Sequence, residues 1–279
     1  MRIVRQGGNE MTSKRLLDAD CELELTTAPL PLPHELLWPL EWAALRVSRV
    51  YAGASLPSGN GQPVIVVPGF LGSFAELGTL TGWLGRIGFH VYNPGFDRNI
   101  ECPDVLLQRL EQQIASVYAS EGRPVHLIGH SLGGSLARAA AVRSPALVDR
   151  VITLGSPLRS MKAHPVVIEI ARLLVRIAPS RHAAHSGHSH DATCSCELAE
   201  ALARPLPPGV RRVAIYSRGD GVVDWRSCIE GDAAVDVEVH GTHVGLVVNV
   251  AAYEAISRAL EGQARSLQPT LTVNRGGAL

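Results

Sequence analysis

Six short runs of apolar, often β-branched residues recur along the chain, and helix-like segments separate most of them. The first run is Val64-Ile65-Val66-Val67, and the others are residues 89–92, 125–128, 151–154, 213–216 and 235–239. Uninterrupted runs of this kind are typical of strands buried on both faces, and their alternation with helices favours right-handed crossovers between parallel strands. The sequence therefore predicts an α/β fold with a doubly wound, mostly parallel sheet of about six strands and helices on both faces.

Composition excludes several classes of protein. The 279 residues are 46% apolar and 19% charged, as in an ordinary globular protein. A formal net charge of +0 and an aromatic content of only 5% argue against a nucleic-acid partner. The 5 cysteines are odd in number and scattered, so they predict no disulfide framework. No apolar run is long enough for a membrane span, and residues 1–17 lack the apolar core of a signal peptide, so we expect a cytoplasmic location.

Residues 1–60 differ from the rest of the chain because they contain no strand signal and several prolines. Leu40, Ala44, Val47 and Tyr51 recur there at a spacing close to 3.6 residues. This spacing predicts an amphipathic helix whose apolar side packs against the main domain.

The main domain is predicted over residues 61–262, with an interruption at 158–208. Almost sixty residues separate the fourth apolar run from the fifth, which is too long for a simple connection. Within this interruption, residues 166–178 are strongly apolar with one narrow polar stripe, which predicts a helix that caps the site. Residues 263–279 have no clear period and are expected to form a loosely held tail.

One short motif carries the chemistry: Gly129-His130-Ser131-Leu132-Gly133-Gly134. It directly follows the third apolar run and directly precedes an alanine-rich stretch typical of a helix. A strand, a tight turn with serine at its apex and then a helix is the context of a nucleophile elbow, where small residues let the strand and helix approach closely. The helix N-terminus also favours a developing anion beside Ser131.

Over residues 63–260 the chain resembles α/β-hydrolase fold proteins of the bacterial lipase and esterase type. The resemblance rests on Pro68-Gly69-Phe70-Leu71-Gly72 after the first apolar run, on the elbow, and on two later loops in the same order. It implies that a carboxylate and then a histidine follow Ser131 on the loops after the last two strands. Compared with larger members, the chain lacks the first antiparallel strands.

A serine hydroxyl is a weak nucleophile that needs a base, and the base needs a carboxylate to orient it. Asp220 is the preferred acid because it lies between glycines in a turn directly after the fifth apolar run. Asp224 is the alternative, although it is equally compatible with a surface or helix-capping carboxylate.

For the base, the resemblance favours His243 over His240, since a small apolar sequence that begins the last helix follows His243. His240 lies nearer the strand end and is expected to be a hydrogen-bonded structural residue. His130, beside Ser131, is expected to line the substrate pocket rather than to act as a second base.

An oxyanion hole needs two backbone N–H groups aimed at the developing negative charge. The resemblance implies that Leu132, directly after the serine, and Phe70, in the loop after the first strand, provide them. Leu71 is a further candidate for the pocket wall. No charged group in this loop competes for the oxyanion, although the loop could also be a plain turn between a strand and a helix.

A second cluster contains residue types that bind zinc or copper, namely His182, His185, His188, His190, Asp191, Cys194 and Cys196. Its spacing matches no closed structural site, so a flexible polar loop is the expectation. The two cysteines could pair under oxidation, but free thiols are expected. We expect no metal and no cofactor, because a serine, a base and an acid suffice for the chemistry.

Together these features predict a serine hydrolase that cleaves a small-molecule or lipid-like carboxylic ester through an acyl-enzyme. The alternatives are an acyltransferase, a thioesterase or a lactonase that uses the same three residues. A non-catalytic binding protein with this fold is a further alternative. The sequence makes no prediction of oligomeric state.

Overall fold

The structure is a computed structural model. It describes residues 25–27, 31–53, 56, 58–158, 161–164 and 196–261. Within these ranges, no helix has the length and apolar character needed to cross a bilayer. The predicted cap helix at 166–178, most of the histidine and cysteine cluster, and the predicted tail at 263–279 lie outside the described residues.

The centre of the molecule is a sheet of six parallel strands, as the sequence predicted. Its strands are β2 (Pro63–Val67), β3 (His90–Tyr92), β4 (Val125–His130), β5 (Val148–Leu154), β7 (Arg211–Tyr216) and β8 (Asp236–Glu238). Their order across the sheet is β3-β2-β4-β5-β7-β8. Each predicted run overlaps one of these strands, because β-branched residues buried on both faces suit a parallel sheet.

The described helices cover both faces of this sheet. They are α1 (Trp38–Arg46), α2 (Arg49–Ala52), α3 (Gly78–Arg86), α4 (Pro103–Glu121), α5 (Leu132–Arg143), α6 (Cys196–Ala203) and α7 (Val250–Glu261). Ile65 and Val67 point into the core that α4, α5 and α6 cover. Val64 and Val66 point into the core that α1, α2, α3 and α7 cover. The alternation of side chains along β2 thus fills two cores at once.

The N-terminal segment packs on the sheet differently from the prediction. Leu40 and Val47, which should have faced the domain, are 68% and 88% exposed. The buried positions are instead Glu35, Leu45 and Val50. The apolar spacing was misleading because α1 ends at Arg46, so Val47 and Tyr51 do not continue the helical period of Leu40 and Ala44.

A second correction concerns a strand that the sequence gave no reason to expect. β1 (Leu25–Thr27) pairs in parallel with β6 (Met161–Ala163), forming a separate two-stranded sheet. Three-residue strands have no run long enough to be recognised by pattern, so only the pairing of their backbones defines them.

The parallel register places the ends of the strands side by side. Val67 of β2 pairs with Gly129 of β4, and Gly129 in turn opposes Thr153 of β5. The loops that follow these strands, and those after β7 and β8, therefore meet at one edge of the sheet. In open parallel sheets this carboxyl edge is where sites are built.

Candidate active site

Ser131 lies at a sharp turn between β4 and α5. Its backbone has φ 53 and ψ −131, a left-handed conformation that a non-glycine residue adopts only under constraint. The N–H of Ser131 donates to the carbonyl of Leu154 at 2.9 Å, and its own carbonyl accepts from Gly134 at 2.9 Å. These hydrogen bonds hold the strained turn at the end of β4, and the first of them joins the turn to Leu154 of β5.

Two glycines make this turn possible because the backbones nearly touch. A Cβ at Gly129 would collide with the Gly133 carbonyl, and a Cβ at Gly133 would collide with the carbonyls of Val67 and Pro68. The glycines of the motif are thus required by close packing of β4, α5 and the loop after β2.

A buried ion pair lies on the loops after β7 and β8. The Nδ1 atom of His243 lies 2.7 Å from Oδ2 of Asp220. Asp220 is 2% exposed and His243 is 4% exposed. The other oxygen of Asp220 accepts hydrogen bonds from the N–H groups of Val222 and Val223, at 2.8 Å and 2.7 Å. The carboxylate is therefore fixed, and it holds a proton on Nδ1 so that Nε2 of His243 can act as an acceptor.

Two neighbouring residues show that this pair lies beside the serine turn. Nε2 of His130 lies 2.9 Å from the carbonyl oxygen of His243, and the two imidazole rings are 4.8 Å apart between centroids. At Gly155, which has φ 55, an added Cβ would lie 3.1 Å from Oδ2 of Asp220 and 3.2 Å from Nδ1 of His243. The structure therefore brings Ser131, Asp220 and His243 to one place.

The two histidines are affected in opposite directions. Burial tends to lower the pKa of His243, but the charge and hydrogen bond of Asp220, aided by Glu35, leave it raised above its usual value. Burial, together with the charge of the nearby His243, lowers the pKa of His130 to about 3. His130 is consequently neutral at physiological pH, whereas His243 keeps its proton to higher pH than an ordinary histidine does.

Phe70 lies in the loop after β2, which packs directly on Ser131. A Cβ added to Gly69 would lie 3.0 Å from Cβ of Ser131. Within the described part of the chain, no oxygen accepts a hydrogen bond from the backbone N–H of Phe70 or of Leu132.

Leu71, the predicted wall residue, has an unusual backbone. Its φ is 65, and its side chain is partly exposed. Asn99 holds this loop in place: its carbonyl accepts from the N–H of Leu71 at 2.8 Å, and its side-chain amide donates to the Pro68 carbonyl at 2.8 Å. These two hydrogen bonds of Asn99 therefore hold the loop that carries Leu71.

The alternative acid and base lie elsewhere. Asp224 caps the short helix Trp225–Ser227, where its side chain accepts from the N–H of Arg226. His240 is exposed, and its carbonyl accepts from the Asn249 side chain. Among the residues that the structure describes, no group of three or more histidine, cysteine or acidic side chains could hold a metal ion.

Two carboxylates that hold the loops of the site, Glu35 and Glu41, were not predicted from the sequence. Glu35 accepts from the N–H groups of Gly221, His243 and Val244. Glu41 accepts from the N–H of Thr242 at 2.8 Å. The one available signal was that both acidic residues interrupt an otherwise apolar stretch, residues 35–45.

Comparisons with known proteins agree with this architecture. The family model for palmitoyl protein thioesterase matches residues 63–199, which is 137 of the 279 residues. This match includes Ser131 but ends before Asp220 and His243. No curated protein sequence is similar enough to count as a match.

Several solved structures share the fold. The monoacylglycerol lipase of Paleococcus ferrophilus is 19% identical with a TM-score of 0.51, and the alignment covers 76% of this chain and 96% of the lipase. A metagenomic carboxyl esterase is 15% identical with a TM-score of 0.54, covering 86% and 94%. A metagenome-derived lipolytic enzyme is 17% identical with a TM-score of 0.55, covering 75% and 96%. At such low identity these similarities establish the fold alone.

Proposed function

The chain is an α/β-hydrolase-fold protein, and from this premise we propose that it is a serine hydrolase that cleaves carboxylic esters through an acyl-enzyme. One observation carries the proposal. The buried Asp220–His243 hydrogen bond lies at the same edge of the sheet as the strained Ser131. A nucleophile, a base and an orienting carboxylate in this chain order are the parts that acyl transfer requires.

In the first half of the reaction, Oγ of Ser131 attacks the ester carbonyl carbon while its proton passes to Nε2 of His243. The negative charge on the carbonyl oxygen is received by the N–H groups of Phe70 and Leu132. A donor in such a position is typically worth about 3 kcal/mol of transition-state stabilisation. When the C–O bond breaks, the imidazolium gives its proton to the leaving alcohol, and the acyl group remains on Ser131.

In the second half, water replaces the alcohol. His243 takes a proton from the water as its oxygen attacks the acyl carbon, and then returns that proton to Oγ of Ser131 when the acid leaves. Asp220 stays ionised throughout and stabilises the imidazolium. Because His243 must be neutral to begin, its raised pKa predicts that activity increases as pH rises through that pKa.

The rim of the site favours an apolar acyl group. Leu71 is next to the oxyanion donor Phe70, and Val244 is next to His243. Both of these apolar side chains are exposed. We propose an acyl chain of medium length as the group that they contact.

The direct test is labelling with a fluorophosphonate, which forms a covalent bond only with an activated serine. We expect the wild-type protein to be labelled, and Ser131→Ala and His243→Ala to be unlabelled. Ser116→Ala is the matched control, because Ser116 is an exposed serine on α4 and its loss should leave labelling unchanged. A wild-type protein that is never labelled would exclude the mechanism.

A thioester is the second candidate substrate, and the thioesterase family match is the observation that favours it. The two substrate classes can be distinguished by the kcat/KM values for oxygen esters and thioesters with the same acyl chains, of about two to sixteen carbons. Adding an acceptor alcohol to the same assay tests for acyl transfer, since a transferase would give the new ester in place of the free acid.

A further inference from the structure

Glu35 lies on the N-terminal 3-10 helix Leu32–Leu37. Among the described residues, it is the most buried acidic residue that the proposed mechanism does not use. Its side chain is only 9% exposed. One carboxylate oxygen accepts from the N–H groups of Gly221 and His243, each at 2.8 Å. The other oxygen accepts from the N–H of Val244 at 2.9 Å. The carboxylate therefore binds both the acid loop and the base loop.

The charge of Glu35 has no cationic partner within the described part of the chain. Its three partners are main-chain N–H groups that are 186 to 209 residues away in sequence. Charge-assisted hydrogen bonds of this kind are stronger than neutral ones, and a buried carboxylate without them would be strongly destabilising. Such an arrangement fixes the backbone of His243 and of the residue after Asp220 relative to each other.

On the premise of the proposed function, we propose that Glu35 is a positioning residue that holds the base loop and the acid loop in register and keeps His243 aligned with Asp220. Neighbouring contacts support this role. Nδ1 of His34 lies 2.9 Å from the Gly219 carbonyl, so the same short helix contacts the acid loop twice. A Cβ at Gly221 would lie 2.7 Å from the Pro31 carbonyl oxygen and 3.0 Å from Oε1 of Glu35, so the acid loop packs closely against this segment.

The negative charge matters as well as the geometry. Glu35 contributes to the raised pKa of His243, after Asp220 and against the effect of burial. Besides Glu35, the charge that raises the pKa of His243 is that of Asp220. His130, whose ring centroid lies 4.8 Å from that of His243, is kept neutral at the relevant pH by its own lowered pKa. Removing the charge of Glu35 should therefore lower the pKa of His243 even when Asp220 is intact.

Glu41 is a second carboxylate that contacts the base loop, and its contacts can be compared with those of Glu35. Its carboxylate accepts from the N–H of Thr242 at 2.8 Å and from the Asn249 side chain at 2.9 Å, so it supports the same loop. It accepts no hydrogen bond from the main chain of His243 or from the acid loop in the described residues, and it is not among the charges that shift the pKa of His243. A general weakening of the loop should follow from losing either residue, whereas a change in His243 should follow only from losing Glu35.

The test compares Glu35→Gln, Glu35→Asp and Glu41→Gln, with Glu254→Gln on the exposed face of α7 as a control. For Glu35→Gln we expect kcat to fall by about 10- to 100-fold, because small misplacements of a catalytic group have costs of this size. We expect KM to change little and the acid limb of the kcat/KM profile to move to lower pH. Glu35→Asp keeps the charge and should retain the wild-type position of that limb. Glu41→Gln should lower thermal stability without moving the limb.

A measurement without substrate separates this inference from the proposed function. The pKa of His243 can be followed by NMR in each variant, with His243→Ala used to assign the signal. A lower pKa in Glu35→Gln alone supports the role, whether or not the ester assay detects activity. An unchanged pKa and unchanged kcat in Glu35→Gln would overturn it, and so would an equal shift in Glu41→Gln. If Glu35→Gln does not fold, the other two variants provide the test. A His243 pKa in Glu35→Asp that equals the wild-type value supports the role. A His243 pKa that changes in Glu41→Gln overturns it.

Discussion

The two halves of the candidate site are held in place in different ways. The serine half is local, because β4, Ser131 and α5 are consecutive in the chain and glycines at 129 and 133 determine the turn. The acid and base half is assembled from distant segments. Asp220 and His243 lie on separate loops, and Glu35 joins those loops from almost two hundred residues earlier.

The two halves should therefore be sensitive to different kinds of substitution. The serine turn depends on the absence of side-chain atoms, so adding a single methyl group should damage it. The acid and base half depends on carboxylates that satisfy buried donors, so removing charge or an acceptor should damage it.

Ser131→Ala should remove catalysis and leave the fold intact. We expect kcat for ester hydrolysis to fall by up to about 10⁶-fold, the scale seen when the nucleophile of a triad is removed. Since the change deletes one partly exposed atom, the free energy of unfolding should stay within about 1 kcal/mol of wild type. Steady-state kinetics and urea titration measure the two quantities. Residual activity near the wild-type level would mean that another nucleophile acts.

Asp220→Asn should lower kcat by about 10⁴-fold, because an amide toward Nδ1 favours the wrong tautomer of His243. The matched control is Asp224→Asn, which alters the alternative acid. Asp224 caps a short helix and pairs with the exposed Arg226, so this variant should keep kcat within a few-fold of wild type, a change of about 1 kcal/mol or less. A larger loss of kcat in the control than in Asp220→Asn would reverse the assignment of the acid.

Gly133→Ala should destabilise the protein, because its Cβ would overlap the carbonyls of Val67 and Pro68. We expect a loss of about 3 kcal/mol in the free energy of unfolding, the upper range for overpacking. Gly85→Ala is the matched control, since Gly85 lies on the exposed side of α3 with open space around it. That variant should gain about 0.4–1 kcal/mol. Equal effects of the two variants would contradict the steric account of the turn.

The two neighbouring histidines should give opposite dependences of stability on pH. His243 has a raised pKa when folded, so its contribution is complete below its usual value of 6.5 and is lost as pH rises through the folded pKa. His130 has a folded pKa of about 3, so its contribution is complete above 6.5 and is lost as pH falls toward 3.

Each group can change the slope by at most about 1.4 kcal/mol per pH unit. Urea titrations at pH values from about 4 to about 9 measure how the free energy of unfolding changes with pH. His130→Gln should flatten the acid side of the stability curve, and His243→Gln should flatten the alkaline side. Slopes identical to wild type in both variants would refute the opposite shifts.

The sequence could predict the sheet and the serine turn because their signals are local. Uninterrupted β-branched runs specify buried parallel strands, and the small residues around Ser131 specify the turn. Asp220 and His243 could be selected from the order of loops in a known fold, although nothing local shows that their atoms meet. The buried side of the N-terminal segment could not be predicted, since Leu40 and Val47 have the apolar character of core residues but are exposed.

The local residue pattern was sufficient for the α/β architecture and for the position of the serine turn, because these follow from periodicity and steric size. Asp220 and His243 were predicted only from the order of loops in a fold that the chain resembles. The hydrogen bond between these two residues and the contacts of Glu35 with their loops became visible only in the folded chain. These groups are far apart in the sequence, and a carboxylate can accept from backbone N–H groups that almost every residue carries, so no pattern of side chains reveals the contact.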